Sequence, residues 1–303
     1  MFARKLLLIT GKGGIGKSLI SAAIGQAAAE RGARVLIVEN AAVDQIAPIF
    51  GRPTIGHQTT EVYPGLECIN LNAEENFRDY VVKHLGQKRL FESVLSHRVV
   101  QSFISMIPGL GELMFLGRLF YECELAPEPR YDLVIFDAPA SGHFMSLMTT
   151  PDAVLDSTLG GPLRRETERV KAFLADRSKA GILYIATPEE LVISEALDFL
   201  PRLAKAAPAE LMAVLVNRMP TWHPASQALE PLNAAQDFLL HQQRVAHQAL
   251  KTLTEGLSVS TDLRSLPVLI IPEDTDLVEP LKKGEGRRLM GDALAMVLGK
   301  GAI

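Results

Sequence analysis

Cysteine is scarce in this sequence, which holds only Cys68 and Cys123 among its 303 residues. The two lie far apart and form no C-x-x-C pair, which argues against a disulfide framework and against a zinc site of four thiolates within one chain. We expect both thiols to be small buried apolar groups. Because no disulfide framework is indicated, the expected compartment is the cytoplasm.

The chain also lacks a surplus of positive charge and a long unbroken apolar run. A formal net charge of -4 leaves no basic excess for a polyphosphate backbone, so nucleic acid is not an expected partner. Proline, glycine and charged residues interrupt the most apolar window, residues 99–120, which argues against a membrane span. The basic pair Arg4 and Lys5 leads directly into a strand-like segment, and we therefore expect no signal peptide.

Short apolar runs rich in valine, isoleucine and leucine recur along the whole chain and alternate with helical patterns. Near-continuous runs of this kind are typical of parallel strands that helices cover on both faces. The sequence therefore predicts one doubly wound α/β domain with a mostly parallel sheet over residues 1–303. The predicted strands cover residues 5–10, 34–38, 66–71, 131–137, 181–187, 211–217 and 268–271.

Two segments differ from this alternation. Residues 72–130 carry helix-like apolar spacing at 77–85, 90–95 and 99–107 without a strand signal, which predicts a helical subdomain inserted into the sheet domain. The window at 99–120 is rich in methionine and phenylalanine, and such helices form either a subdomain core or a groove for apolar ligands. Residues 224–253 are predicted to form one long helix.

A glycine-rich loop with two lysines follows the first predicted strand. Residues 11–18 read G-K-G-G-I-G-K-S and lead into an alanine-rich helix predicted over residues 18–30. In such a loop the backbone N–H groups and the helix N-terminus face phosphates, while Lys17 contacts the β- and γ-phosphates and Ser18 binds Mg²⁺. The sequence thus predicts a site for ATP or ADP with Mg²⁺. Its remaining loop residues are Gly11, Gly13, Gly14, Ile15 and Gly16.

A carboxylate ends the fourth predicted strand. Asp137 closes the run Y-D-L-V-I-F-D and precedes A-P-A-S-G-H. An aspartate that leaves a strand beside the phosphate loop is placed to hold Mg²⁺ through water, and the turn after it can move with the γ-phosphate. A plain strand-end turn would explain the proline and the glycine but not the aspartate.

These motifs resemble those of the ArsA family, which includes arsenite-pump ATPases and targeting ATPases for tail-anchored proteins. The resemblance rests on the glycine loop, on F-D-A-P-A-S-G-H and on I-P-G-L-G-E at residues 107–112, and it continues through residues 65–80 and 211–217. The additional loop lysine, Lys12, is the signature of the deviant Walker pattern and implies a residue that reaches across a dimer interface to the partner's nucleotide. The resemblance therefore implies a homodimer, or a heterodimer with a related ATPase subunit.

The resemblance also implies an adenine site at the later strands. In the family, an asparagine at a strand end and a loop after the last core strand hold adenine. These positions correspond here to Asn217, Pro272 and Glu273. Without the resemblance, Asn217 would read equally well as a strand-end turn residue.

One departure from the family concerns hydrolysis. After the second strand the family has D-P-A-H, whose aspartate orients the attacking water, whereas Ala41 takes that position here. Glu39, Asn40 or Asp44 could replace it, and we select Asp44 because a loop residue can swing toward the γ-phosphate. Otherwise hydrolysis is slow, or a different partner subunit supplies the residue.

A second departure concerns the cargo. The family's arsenite pumps use a thiolate cluster and its targeting ATPases use a C-x-x-C zinc site, and the two cysteines here provide neither. We hypothesise an ATPase that couples its nucleotide state to binding of an apolar protein client or a partner. One alternative is a MinD/ParA-like positioning ATPase at a membrane surface, with residues 287–298 as an amphipathic helix. A reductase of the nitrogenase iron-protein type is disfavoured, because Cys123 precedes Asp137 and no second cluster ligand is evident.

Overall fold

A computed structural model describes residues 4–72, 74–76, 78–79, 109–126, 130–158, 160–220 and 234–273. Some of the sequence predictions concern other parts of the chain. The greater part of the predicted insertion helices between 77 and 107, the first two residues of I-P-G-L-G-E, and the amphipathic helix at 287–298 lie outside the described residues. The helical subdomain as a whole therefore stays a prediction.

One eight-stranded sheet forms the centre of the described fold. In chain order its strands are β1 (Leu6–Gly11), β2 (Val35–Glu39), β3 (Thr60–Tyr63), β4 (Leu66–Asn70), β5 (Leu133–Ala140), β6 (Ala180–Ala186), β7 (Glu210–Met219) and β8 (Val268–Pro272). Across the sheet they lie in the order β3-β4-β2-β5-β1-β6-β7-β8. Neighbours pair in parallel except β3 and β4, which are antiparallel. The doubly wound, mostly parallel α/β fold is thereby confirmed.

Helices cover both faces of this sheet. Those that the structure describes are α1 (Lys17–Ala29), α2 (Ile46–Ile49), α3 (Leu110–Phe120), α4 (Ser141–Ser157), α5 (Pro162–Ala175), α6 (Glu190–Ala206) and α7 (Ala234–Val259). A π-helical turn, Tyr121–Leu125, continues α3. The long helix predicted over 224–253 thus ends later than expected, while the residues before Ala234 lie outside the described ranges.

The two faces of the sheet have separate apolar cores, because successive residues of a strand point to opposite faces. In β1, Leu6 and Leu8 belong to one core cluster, while Leu7 and Ile9 belong to the other. Residues of α3 to α7 complete the first cluster, and residues of α1 and α2 complete the second. Burial on both faces explains why the central strands appear in the sequence as unbroken apolar runs.

β3 is a strand that the sequence analysis missed. Of its four residues only Val62 is buried, and the other three are partly or fully exposed. A short edge strand of this kind has no continuous apolar run, so it lacks the signal that identified the other strands. It is joined to β4 by a tight turn in which Gly65 has a φ of 78°. Glycine adopts this left-handed conformation without steric cost.

The described part of the methionine and phenylalanine window, residues 109–120, belongs to the core. The rings of Phe115 and Phe136 lie with their centroids 4.7 Å apart, which joins α3 to β5. Phe120 packs against Phe173 of α5 with a centroid distance of 5.3 Å. Phe115 and Phe120 therefore belong to the core, whereas Met114 is only partly buried, and the groove stays a prediction.

Both cysteines are buried, as predicted, at 0% exposure for Cys68 in β4 and 5% for Cys123 in the π-helical turn. Burial raises the pKa of the Cys68 thiol to about 12 and also raises the pKa of Cys123. Both groups are therefore neutral thiols at physiological pH. Among the helices that the structure describes, none has the length and apolar character that a bilayer span requires.

Candidate nucleotide site

The glycine loop lies where the central parallel strands end. Residues 12–16 connect β1 to α1, and β1 lies between β5 and β6 in the middle of the sheet. The chain passes from β1 to β2 on one side of this strand and later adds β6, β7 and β8 on the other. Doubly wound sheets bind their ligands in the crevice at such a reversal of strand order.

Glycines allow this loop to pack closely against its neighbours. A Cβ at Gly11 would overlap a carbonyl oxygen of β6. Gly16 has a φ of 93°, and a Cβ there would lie 2.7 Å from Nδ2 of Asn217. Gly13 and Gly14 are exposed, and a Cβ added to either would meet no atom of the described ranges within 4 Å. The base of the loop is therefore tightly packed, while its tip borders open space.

Lys17 begins α1, and its ammonium group turns back onto the loop. Nζ donates a hydrogen bond of 2.9 Å to the carbonyl oxygen of Lys12. Burial lowers the pKa of Lys17, and the nearby carboxylate of Asp137 acts in the opposite direction. A partly buried ammonium forms stronger hydrogen bonds to anionic oxygens than to a neutral carbonyl, so phosphate oxygens would compete well for Lys17.

Asp137 connects β5 to α1 through two serine hydroxyls. Its carboxylate accepts hydrogen bonds of 2.6 Å from Ser18 Oγ and 2.9 Å from Ser21 Oγ. Burial raises the pKa of Asp137, whereas the two hydroxyls and Lys17 act in the opposite direction. The sequence predicted Asp137 at the end of this strand. β5 continues to Ala140, so Asp137 lies within the strand instead. A carboxylate and a hydroxyl held together are oxygen donors of the type that Mg²⁺ prefers.

Asn217 reaches the glycine loop from β7. Its Nδ2 donates a hydrogen bond of 2.9 Å to the carbonyl oxygen of Ile15, while its Oδ1 is buried and finds no hydrogen-bond partner among the described residues. β7 runs on to Met219, so Asn217 is a strand residue and the alternative of a strand-end turn is wrong. A buried acceptor without a partner is uncommon, and the amino group of a bound base would supply the missing donor.

Pro272 and Glu273 lie one strand further along the same edge. Pro272 ends β8 and pairs in register with Met219 of β7. The backbone N–H of Glu273 donates a hydrogen bond of 2.8 Å to the carbonyl oxygen of Met219. Both residues are exposed. The structure therefore places them beside the end of β7, whereas Asn217 contacts the glycine loop itself.

Asp44 is held firmly inside the loop that follows β2. Its Oδ2 accepts hydrogen bonds from the backbone N–H groups of Ile55, at 2.5 Å, and Gly56, at 3.1 Å. Nδ2 of Asn70 donates to Oδ1 at 2.7 Å, and Asn70 also pairs with both backbone groups of Ala41. Burial acts to raise the pKa of Asp44, but hydrogen bonds from Asn70, Gly56 and Ile55 lower it. Both carboxylate oxygens are thus engaged by neighbouring parts of the chain.

Glu39 ends β2 in the same loop and has a different environment. It is 1% exposed and accepts hydrogen bonds from the backbone N–H groups of Gln45 and Ile46, which begin α2. Burial is the main cause that raises its pKa to about 7, and the carboxylates of Asp137 and Asp44 add to this. Glu39 therefore fixes the loop to the sheet through a carboxyl group that titrates near neutral pH.

Lys12, the first lysine of the glycine loop, forms an ion pair with a residue of α6. Nζ of Lys12 lies 2.8 Å from Oε1 of Glu195 in α6, and the two side chains are 34% and 48% exposed. The sequence analysis did not select Glu195. The two residues are 183 positions apart, and only the fold brings them together.

The sequence profile of the anion-transporting ATPase family matches residues 4–161, slightly more than half of the chain. The chain belongs to this family, the ArsA ATPases. The resemblance drawn from the glycine loop and the F-D-A-P-A-S-G-H segment is thereby confirmed.

Relatives of this ArsA-family chain carry several descriptions. ATPase BagA from Mycobacterium tuberculosis is 28% identical over 222 residues, which cover 71% of this chain and 65% of BagA. An arsenical pump-driving ATPase from Acidiphilium multivorum is 25% identical over 341 aligned positions, which cover 98% of this chain and 56% of the relative. An ATPase ASNA1 homolog from Babesia bovis is 26% identical over 176 residues, covering 55% of this chain and 46% of the relative. The chain thus spans less than two thirds of the length of these ArsA-like proteins.

Proposed function

We propose that this chain is an ATPase of the ArsA type, which binds Mg²⁺-ATP at the glycine loop and hydrolyses it. The observation that carries the proposal is the contact between Ser18 and Asp137 at 2.6 Å, next to a loop whose exposed glycines border open space. Ser18 would bind the ion directly and Asp137 would hold it through water, and the bound Mg²⁺ would neutralise charge on the phosphates. Lys17 would exchange the Lys12 carbonyl for phosphate oxygens.

The base of the nucleotide is assigned to the end of β7. In the part of the chain that the structure describes, nothing donates to the buried Oδ1 of Asn217, and an adenine amino group would satisfy it. Pro272 and Glu273 are exposed beside the end of the same strand, where they would cover the ring. We therefore retain all three residues as the proposed adenine site.

A second ATPase subunit, identical or related, is proposed to close over this edge of the sheet. Lys12 is partly exposed there and would reach the partner's nucleotide, in the manner of a finger residue supplied in trans. The same edge exposes two large apolar side chains, Val43 after β2 at 64% and Leu191 at the start of α6 at 65%. Exposed apolar groups around a nucleotide site favour burial against another protein.

Hydrolysis by the chain alone is proposed to be slow. Ala41 has no group that could orient water, and Asp44 remains our candidate for that role. To act, Asp44 must release Ile55, Gly56 and Asn70, which all donate to it. A partner that rearranged this loop would free Asp44 and accelerate the reaction.

The ATP cycle is proposed to control an apolar protein client or a protein partner in the cytoplasm. Arsenical pumping, which the name of the Acidiphilium relative describes, would require accessible thiolates in an arsenite-binding role. Cys68 and Cys123 are the two cysteines of the chain, and both are buried neutral thiols in different core clusters. A thiolate site for arsenite is therefore disfavoured here.

Size-exclusion chromatography with light scattering tests the proposal on the full chain. We expect a monomer without nucleotide and a dimer with Mg²⁺ and a non-hydrolysable ATP analogue, and we expect Lys12→Ala to bind the analogue without dimerising. Isothermal titration on the same samples measures nucleotide affinity independently of assembly. Absence of binding would contradict the ATPase assignment, whereas binding by a permanent monomer would contradict the homodimer and leave a related subunit as the proposed partner.

A further inference from the structure

The contact between Lys12 and Glu195 occupies the group that the dimer needs. Lys12 Nζ lies 2.8 Å from the Glu195 carboxylate within one chain. This contact offsets the charge of Lys12 and holds its side chain toward α6 of its own subunit, whereas the proposed contact in trans needs the same ammonium group to donate to phosphates bound to a partner. The contact within the chain therefore competes with the contact in trans.

The two loop lysines are also connected to each other. Lys17 Nζ donates to the carbonyl oxygen of Lys12, so the residue that carries the trans lysine is held at its backbone by the cis lysine and at its side chain by Glu195. When phosphates draw Lys17 away, the backbone hydrogen bond to Lys12 is lost. The Glu195 contact then remains as a restraint on the Lys12 side chain.

We propose that Glu195 acts as a latch that keeps Lys12 within its own subunit until a partner with bound nucleotide competes for it. The inference rests on the proposed dimer, because it assumes that Lys12 acts in trans. Glu195 is a positioning residue, since its hydrogen bond within the described residues goes to the Lys12 side chain and it would act by controlling where that side chain lies. In each subunit the ion pair between Lys12 and Glu195 opposes dimer formation, and it thereby raises the dimer dissociation constant.

The exposure of the pair limits how strong this latch is. Partly exposed ion pairs shift an equilibrium by about 1.4-fold to 5-fold. A symmetric dimer opens two such pairs, so the combined effect on the dimer dissociation constant is about 2-fold to 30-fold. An ion pair of this strength reduces dimer formation at low subunit concentration. The contacts that bound nucleotide adds across the interface can overcome it.

The test compares Glu195→Gln with Asp198→Asn by sedimentation velocity in Mg²⁺ and a non-hydrolysable ATP analogue. Asp198 is exposed on the same helix, α6, and is not the partner of Lys12, so its replacement controls for the loss of one negative charge. We expect Glu195→Gln to lower the dimer dissociation constant by about 2-fold to 30-fold, and Asp198→Asn to leave it unchanged. Lys12→Ala is expected to stay monomeric, and adding Glu195→Gln to it should not restore a dimer, because the latch has nothing to hold.

Each outcome separates the latch from the dimer. A dimer that needs Lys12 but does not respond to Glu195→Gln overturns the latch and leaves the proposed function standing. Equal tightening by Glu195→Gln and Asp198→Asn, or a dimer restored by Glu195→Gln in the Lys12→Ala background, also overturns it, since a general charge effect would then explain the result. Monomers in wild type and Glu195→Gln alike would overturn the proposed homodimer together with the latch. Dimerisation of Glu195→Gln under conditions that leave the wild type monomeric would support both.

Discussion

Lys12 and Lys17 belong to one short loop, but their surroundings give them different tasks. Lys17 is partly buried, its pKa is lowered by burial, and it faces the loop backbone and Asp137. Lys12 reaches outward to a surface carboxylate. A group that is partly withdrawn from water interacts more strongly with a bound anion, whereas an exposed group on a long side chain can change partners. These surroundings support the proposed roles of Lys17 in nucleotide binding and of Lys12 in assembly.

Replacement of Lys17 should reduce nucleotide affinity strongly. Hydrogen bonds to charged groups contribute about 1.5 to 3 kcal/mol, so Lys17→Ala should weaken Mg²⁺-ATP binding about 10-fold to 150-fold in isothermal titration. Lys251→Ala is the matched control, because Lys251 is 64% exposed on α7 and pairs with Glu255 of the same helix. Equal affinities for the wild type and Lys17→Ala would remove Lys17 from the phosphate site.

Asp44 has an observed structural role and a proposed catalytic role, which a single substitution can separate. Asp44→Asn keeps an oxygen for the N–H groups of Ile55 and Gly56, but its amide would face the Nδ2 donor of Asn70. We expect a stability loss of about 1 to 3 kcal/mol from this unmatched donor. We also expect slower single-turnover hydrolysis with unchanged ATP binding. A loss of stability with an unchanged hydrolysis rate would assign Asp44 a structural task alone.

Glu39 should make the fold more stable in weak acid than above neutral pH. Its carboxyl has a pKa of about 7 in the folded chain against an ordinary value of 4.5, so the folded state holds an additional proton between these values. The stabilisation is complete below pH 4.5 and is lost as the pH rises through 7, by up to about 3 kcal/mol. Urea unfolding without metal or nucleotide, from pH 5 to pH 8, measures this change.

Glu39→Gln supplies the comparison for that titration. Asp137 also has a raised pKa and contributes to the slope with the same sign, so the informative quantity is the difference between the wild type and the variant. We expect the variant to show a flatter pH dependence. Parallel curves for the two proteins would mean that Glu39 is ionised throughout the range.

At the scale of elements, α3 connects the region of the insertion to the strand that carries Asp137. Phe115 of α3 packs on Phe136, the residue directly before Asp137, with the ring centroids 4.7 Å apart. Phe115→Ala should therefore destabilise the fold by about 3 to 5 kcal/mol in urea unfolding, as expected for loss of a buried ring. Phe238→Ala, at a ring position that is 59% exposed on α7, should change stability by less than about 1 kcal/mol. Similar losses in both variants would contradict the assignment of α3 to the core.

The elements that the sequence predicted well are those buried on both sides. β1, β2, β5 and β6 are apolar runs because each residue faces one of two cores, and this pattern is visible without any structure. β3 was missed because Val62 is its single buried residue. The end of β5 was placed too early at Asp137, because the A-P-A segment after it resembles a turn although it pairs with β1 as far as Ala140.

At the scale of the whole molecule, the local part of the site could be predicted and the contacts between distant segments could not. The glycine loop, Ser18 and Asp137 belong to short sequence motifs, which can be recognised without knowledge of the fold. The ion pair between Lys12 and Glu195 joins positions that are 183 residues apart. The hydrogen bonds that hold Asp44 include one from Asn70 of β4. Such contacts follow from strand order, which no local pattern encodes.

The two cysteines allow a test of whether the two cores of the sheet open together. Cys68 belongs to the core on one face of the sheet and Cys123 to the core on the other, and both thiols are buried. An alkylating reagent reaches each thiol only when its own face opens, so two alkylation rates report separately on the two cores. Every central strand contributes side chains to both faces, and we therefore expect equal rates across increasing urea. A faster thiol would identify the face of the sheet that opens first.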